Sequence, residues 1–215
     1  MTGMSAGPTE SQHKVSGATP KGVRRRHALA SAAADLLVEG GFDAVRHRSV
    51  AARAGLPLAS TTYYFESLGD LVAAAVDVVG TREIDVMRGR IDDEGKCSKK
   101  MESTVDLIVD LLIGPQGGHE QLVARYERFI ASARHPELRE VQLRLRAQID
   151  DLLTDVLRRS GRTVQEEQLR RLVAVVDGAV VGALSEVDPD PREMARSMLL
   201  AVIDIVAPAE QVSAD

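Results

Sequence analysis

The stretch Ala59-Ser60-Thr61-Thr62-Tyr63-Tyr64-Phe65 holds three of the chain's six aromatic residues in a row, directly behind a patch of small hydroxyl side chains. These groups suit recognition by hydrogen bonds and apolar contact. They are not arranged for bond-making chemistry, since no nucleophile stands in a motif with its base. There is no HExxH, no GxSxG, no glycine-rich phosphate loop and no Cys/His ligand cluster. The five histidines, His13, His27, His47, His119 and His135, are scattered singly, and Cys97 is the sole cysteine. No catalytic residue, metal or cofactor is therefore expected, and a helical-bundle enzyme is a remote alternative.

The elements that must position this stretch are helical. Val and Ile sit in runs rich in Ala, Leu, Arg and Glu, with no sustained alternation of period two, which predicts an all-α chain. A first helix starts at Thr19-Pro20, a cap followed by proline at the first helical position, and carries Leu29, Ala33, Leu36 and Leu37 to its stop at Gly40-Gly41. A short second helix, about Arg48 to Ala54, stops at Gly55. A third reaches Tyr64, and a fourth opens at Ser67 with Asp70 in a capping-box pattern and presents Leu68, Leu71, Val72, Ala75 and Val79 on one face. Three short helices with a tight glycine turn between the second and third outline a helix-turn-helix.

In that motif the later helix lies in the major groove, so Ala59, Ser60 and Thr62 are candidates for close approach to base edges and phosphates. Neighbouring helical residues are about 100° apart. Phe65 is thus expected to turn inward, with Tyr63 and Tyr64 facing the duplex. Arg24, Arg25 and Arg26 oppose the dipole of the first helix, and a phosphate backbone would supply the missing counter-charge. The alternative is a solvated charge cluster. The net charge of −5 conceals a local balance of +4 between Lys21 and Phe65 against −9 elsewhere: a basic module on an acidic body.

Leu29 through Leu71 resembles the DNA-binding domain of the TetR family of transcriptional regulators. The resemblance rests on "ALASAAADLLVEGGFDAV", "HRSVAARAGLPLASTTYYF" and "ESLGDL". It implies DNA contacts from His47, Arg48 and Ser49 and from Ser60, Thr62, Tyr63 and Tyr64. Two positions depart from the family pattern: Arg46 stands where a capping threonine is frequent, and Leu68 where a lysine is frequent. The expected architecture is an N-terminal three-helix DNA-binding bundle over 21–66, then a larger helical ligand-binding and dimerisation domain over 67–207. A disordered leader (1–20) and tail (208–215) flank them.

In the body, "GRIDDEGKCSKK" and "GPQGGHE" read as loops around a helix from about Lys99 to Ile113. Further helices are expected near Glu120–Ala133, Pro136–Ser160, Val164–Val187 and Pro191–Val206. The last two are apolar on more than one stripe. They are either internal core or half of an intermolecular four-helix bundle, with Leu172, Val176, Val180, Met198 and Val202 as interface candidates. Tyr126 and Phe129 share a helix face and are either ordinary core or, with Met87 and Arg134, the lining of a ligand pocket. The resemblance implies a homodimer on a palindromic double-stranded operator, released by an unidentified small-molecule effector. A body answering to a protein partner, or to nothing, is the alternative. No run is long enough to span a membrane, and a cytoplasmic setting is the simplest reading of the lone cysteine.

Overall fold

The computed structural model describes residues 19–93, 100–114, 118–186 and 190–210. The expected leader before residue 19, the tail after 210, Cys97 and the expected end of the eighth helix at Val187 lie outside those residues. Among the described residues there are nine helices and no strand: α1 (Pro20–Ala44), α2 (His47–Arg53), α3 (Leu58–Tyr64), α4 (Leu68–Asp93), α5 (Met101–Ile113), α6 (His119–Arg134), α7 (Pro136–Arg159), α8 (Glu166–Ala183) and α9 (Pro191–Val206). The fold is all-α.

Local signals fix the helix starts. The Thr19 hydroxyl accepts from the Gly22 amide at 3.2 Å, ahead of Pro20 at the first helical position. Ser67 and Asp70 exchange two 3.0 Å bonds at the head of α4, satisfying amides that have no helical partner. At the far end of α1 the helical run is broken at Gly40 and Gly41, and Gly41 has φ +65°, which suits glycine. Gly55, φ +64°, makes the turn between α2 and α3.

α4 continues through Gly89 to Asp93, where the sequence reads as loop. Ile84, Met87 and Ile91 recur at helical spacing and are all buried, so tertiary burial overrides the weak local propensity of the glycine and aspartates. Likewise residues 208–210, expected in a free tail, are tied down. The Thr163 amide donates to the Pro208 carbonyl at 3.0 Å and the Glu210 amide to that of Gly161 at 2.8 Å. Arg162, only 7% exposed, bonds Asp204 at 2.8 Å and the Ala207 carbonyl at 2.7 Å.

Two apolar clusters result. One gathers Leu29, Val45, Val50, Phe65 and Leu71 with Leu138 and Leu145 of α7. The other gathers Ile108, Leu111, Leu153, Leu157, Leu172, Val176, Leu199 and Ile203. α4 feeds both, through Ala75, Val76 and Ile84 in the first and Met87 and Ile91 in the second. It also runs close to α7. A Cβ at Gly69 would lie 2.6 Å from a carboxylate oxygen of Glu137, and a methyl at Gly80 would overlap the Leu145 side chain.

Candidate functional site

The N-terminal module presents α3 edge-on. Thr61 is fully buried, its hydroxyl donating to the Leu58 carbonyl at 2.8 Å, and Phe65 is buried behind it. Ala59 and Thr62 are exposed, Ser60 is half-buried, and Tyr63 is 80% exposed. Tyr64 differs from the expectation that both tyrosines project outward. It is half-buried in the small core, with its hydroxyl close to Gly22 in the first turn of α1 and its ring edge-on to Tyr63 at 4.8 Å. A rotation of about 100° from Tyr63 places it over the seam between α3 and α1.

Around this face stand cations of two kinds. Arg24, Arg25 and Arg48 are exposed and have no ion pair among the described residues, whereas Arg26 lies over the Phe65 ring at 4.9 Å from its centroid. The first turn of α1 holds no acid to offset these charges. Arg53 and Arg46 are engaged, Arg53 in a two-pronged pair with Glu39 (2.8 and 2.7 Å) and Arg46 with Asp43 at 2.9 Å. The hydrogen bond to Arg53 holds the Glu39 carboxyl below its usual pKa. At the start of α2, Ser49 is exposed, while His47 is half-buried with Nδ1 unbonded among the described atoms. Leu68 is half-buried against the core, so its side chain offers α4 no cation there.

In the body, the Tyr126 hydroxyl donates to Asp177 at 3.0 Å across α6 and α8. Burial first, then the charge of Asp177, push the Tyr126 phenol far above its ordinary range. Both side chains line a cavity of about 70 Å³ with Phe129, Gly80, Leu145 and Arg146. A separate cleft of about 750 Å³ opens between the Gly40-Gly41 turn of α1, α4, the end of α5 and the start of α6, with Met87 in its wall. Tyr126 and Phe129 are thus brought together, and Met87 lines the other space. Arg134 lines neither: it is the last residue of α6 and is exposed, beyond the turn that faces α4. Asp177, Glu83 and Arg128 were missed by sequence reasoning. Asp177 left a signal, as the one acid inside the apolar run "LVAVVDGAVVGAL". No cluster of His, Cys, Asp or Glu among the described residues can hold a metal ion.

The body carries a resemblance that its own sequence did not announce. A family model described as "Tetracyclin repressor-like, C-terminal domain" matches residues 99–205. EbrR, a multidrug binding protein, in complex with proflavin superposes with a TM-score of 0.66 at 29% identity, over 83% of this chain and 99% of that one. Its ethidium complex gives 0.64 at 28%, over 83% and 98%. A TetR transcription regulator from Haloarcula marismortui shares the fold, with a TM-score of 0.65 at 21% identity over 86% and 99%. No curated protein sequence matches the chain significantly. The chain belongs to the TetR family.

The last two helices of this TetR-family chain correct one expectation. Leu172, Val176 and Val180 are buried inside the protomer, Val176 at 1% exposure, and cannot meet a partner without opening the core. α8 has a second stripe, Ala174, Gly178, Val181 and Gly182, and this one faces outward. A Cβ added at Gly178 or Gly182 would meet nothing within 4 Å. The bulkier stripe turns inward because it fills more of the core, leaving the small residues outside. On α9, Met198 and Ile205 are exposed and Val202 is half-buried, so this helix too keeps apolar side chains outside.

Proposed function

We propose that this TetR-family protein is a repressor that grips a palindromic operator as a homodimer and lets go when a small molecule occupies its body. The observation that carries this reading is the outward face of α3, where Ala59, Ser60, Thr62 and Tyr63 stand clear of the core. The unpaired Arg24, Arg25 and Arg48 lie in the same small module and supply cations for the phosphate backbone. Two such faces, held about 34 to 36 Å apart or at a multiple of that spacing, read successive turns of one groove. The outward stripes of α8 and α9 form the interface. Gly178 and Gly182 allow the two copies of α8 to approach closely, and Val181, Met198 and Ile205 bury apolar area.

The effector site is the space around Tyr126 and Asp177. Arg146 is paired with Asp150 at 2.9 Å and Arg128 with Glu83 at 2.5 Å, and Arg125 donates to the Leu112 carbonyl near the end of α5. The negative helix end suits that guanidinium. Asp177 accepts only from Tyr126 and has no ion pair among the described residues, so it is the acid left for a ligand, while the Arg125 guanidinium is occupied by a carbonyl. A carboxylate beside the rings of Tyr126 and Phe129 favours an organic cation. The EbrR complexes with proflavin and ethidium, both planar organic cations, support the same class. A coupling of about 1 to 3 kcal/mol between effector and operator changes affinity several-fold to a hundredfold, enough for release.

The test is selection of the purified protein against a random duplex library, then a salt titration on the winning sequence. A palindrome bound by two chains with a steep salt slope is the expected result, and its affinity should fall when a cation such as ethidium binds the free protein. Because ethidium also intercalates into DNA, Asp177→Asn serves as the control that must stay bound. No enrichment of any sequence would refute the reading helix.

A further inference from the structure

The 70 Å³ cavity has room for a couple of water molecules, whereas ligand pockets for organic molecules run to about 300 to 1,000 Å³. The cleft of about 750 Å³ is of that size, but it does not include Tyr126 or Asp177. Three residues, Glu83 of α4 with Arg125 and Arg128 of α6, line both spaces. They form the wall that the two spaces share. Arg125 bonds the Leu112 carbonyl, whereas Arg128 and Glu83 hold one another between α6 and α4, 2.5 Å apart, so separating those two opens the wall.

We propose that the cleft is the antechamber of the effector site, and that a cationic effector opens the way inward by taking the place of Arg128 on Glu83. This rests on the Tyr126–Asp177 reading of the site above. The two partners are unequally placed: the Arg128 side chain is 12% exposed, while that of Glu83 is 43% exposed. Both line the cleft, and the Glu83 carboxylate is the more accessible of the two. An incoming cation restores the pairing of Glu83, and the Arg128 guanidinium it displaces also lines the inner cavity, where the Asp177 carboxylate has no ion pair among the described residues. An anion would have to make the mirror exchange on Arg128, the less accessible partner.

The exchange acts on the helix that matters for DNA. Glu83 sits next to Arg82, which pairs with Asp35 of α1 at 2.7 Å. While Arg128 holds Glu83, α4 is tied both to the DNA-binding module and to α6. Once the ligand replaces Arg128, the ion-pair tie to α6 is gone and α4 can shift, with α1, against α7. Recognition of the cation and release of α4 are then one event.

The experiment is stopped-flow and equilibrium binding of ethidium, with fluorescein as an anion of similar size, to the full-length protein without DNA. Wild type should bind ethidium and not fluorescein. Glu83→Gln should weaken ethidium by about tenfold or more, the scale of one charge-assisted contact. Arg128→Met should speed its association by removing the wall. Reversal of the pair, Glu83→Arg with Arg128→Glu, keeps an ion pair in place for folding but meets the ligand with a cation, and should abolish ethidium binding. If Asp177→Asn eliminates binding while the Glu83, Arg128 and reversed variants keep wild-type rates and affinities, the antechamber is refuted and the effector site stands. If wild type fails to bind ethidium, or Asp177→Asn binds as wild type does, the effector site itself is refuted.

Discussion

Gly80→Ala tests how tightly the DNA-binding module and the body are geared through α4 and α7. A Cβ there would overlap the end of Leu145 and stand 3.1 Å from its Cγ, and Leu145 is nearly buried. Overpacking costs about 1 to 3 kcal/mol. Alanine regains about 1 kcal/mol over glycine inside a helix, so the net loss is about 0 to 2 kcal/mol. Leu145→Ala alone should cost about 2 to 5 kcal/mol by leaving a cavity. Together the two changes should cost at least about 1 kcal/mol less than their sum, because the new methyl enters the space the leucine vacates. The assay is denaturant unfolding of the four species at one protomer concentration, since the proposed dimerisation would shift apparent stability. Operator affinity should follow the same cycle: reduced in Gly80→Ala, where α4 is pushed off α7, and recovered in the pair. Additive losses within about 0.5 kcal/mol would refute the claim that these side chains set the spacing of the two helices.

Arg48→Ala and Tyr63→Ala should each weaken operator binding and leave the melting temperature unchanged. For any substituted cation that neutralises a phosphate, the salt slope should fall by about 0.9. Tyr64→Ala should weaken binding and also lower the melting temperature, as its ring is half-buried against α1. Ile205→Glu, at a side chain 75% exposed, should give a folded monomer by sedimentation that no longer binds the operator, whereas Val176→Glu should unfold the body. A dimeric Ile205→Glu variant would place the interface elsewhere. Arg162→Ala should lower stability by about 1.5 to 3 kcal/mol and release residues 208–210 to proteolysis, because it deprives the Ala207 carbonyl of a charged donor. An unchanged unfolding midpoint would show that this hydrogen bond does not hold the segment down.

What could be read from the sequence was local. Thr19-Pro20 and Ser67 with Asp70 mark helix starts because each cap satisfies amides within three residues of itself, as Asp190 also does by accepting from the Glu193 amide at 2.9 Å. The break at Gly40-Gly41 and the turn at Gly55 were equally legible, since glycine suits their backbone. Pairings across the chain were not. Arg128 and Glu83 are 45 residues apart and Tyr126 and Asp177 are 51 apart, and nothing in the spacing of either pair announces the other. The orientation of α8 failed for a related reason. Two apolar stripes on one helix each suit a core, and only the volume of the space beneath decides that Val176 goes in and Val181 stays out.

Leu138 and Leu145 of α7 belong to the same apolar cluster as Leu29, Val50 and Phe65 of the DNA-binding module. A boundary drawn between residues 66 and 67 therefore cuts through a core. This bears on how a ligand in the body can move a helix in the groove. A flexible hinge would let the module drift without changing its preferred position, whereas a shared, close-packed core has few arrangements and passes strain from one to the next. α4 is the element common to both clusters, tied to α1 by Arg82–Asp35, to α7 by Arg144–Asp77 at 2.5 Å and to α6 by Arg128–Glu83. Of these three ties only the last borders the cavity of Tyr126 and Asp177, the proposed effector site. A ligand that alters that tie shifts α4 against α7, and the module must follow because its own core includes α7 side chains.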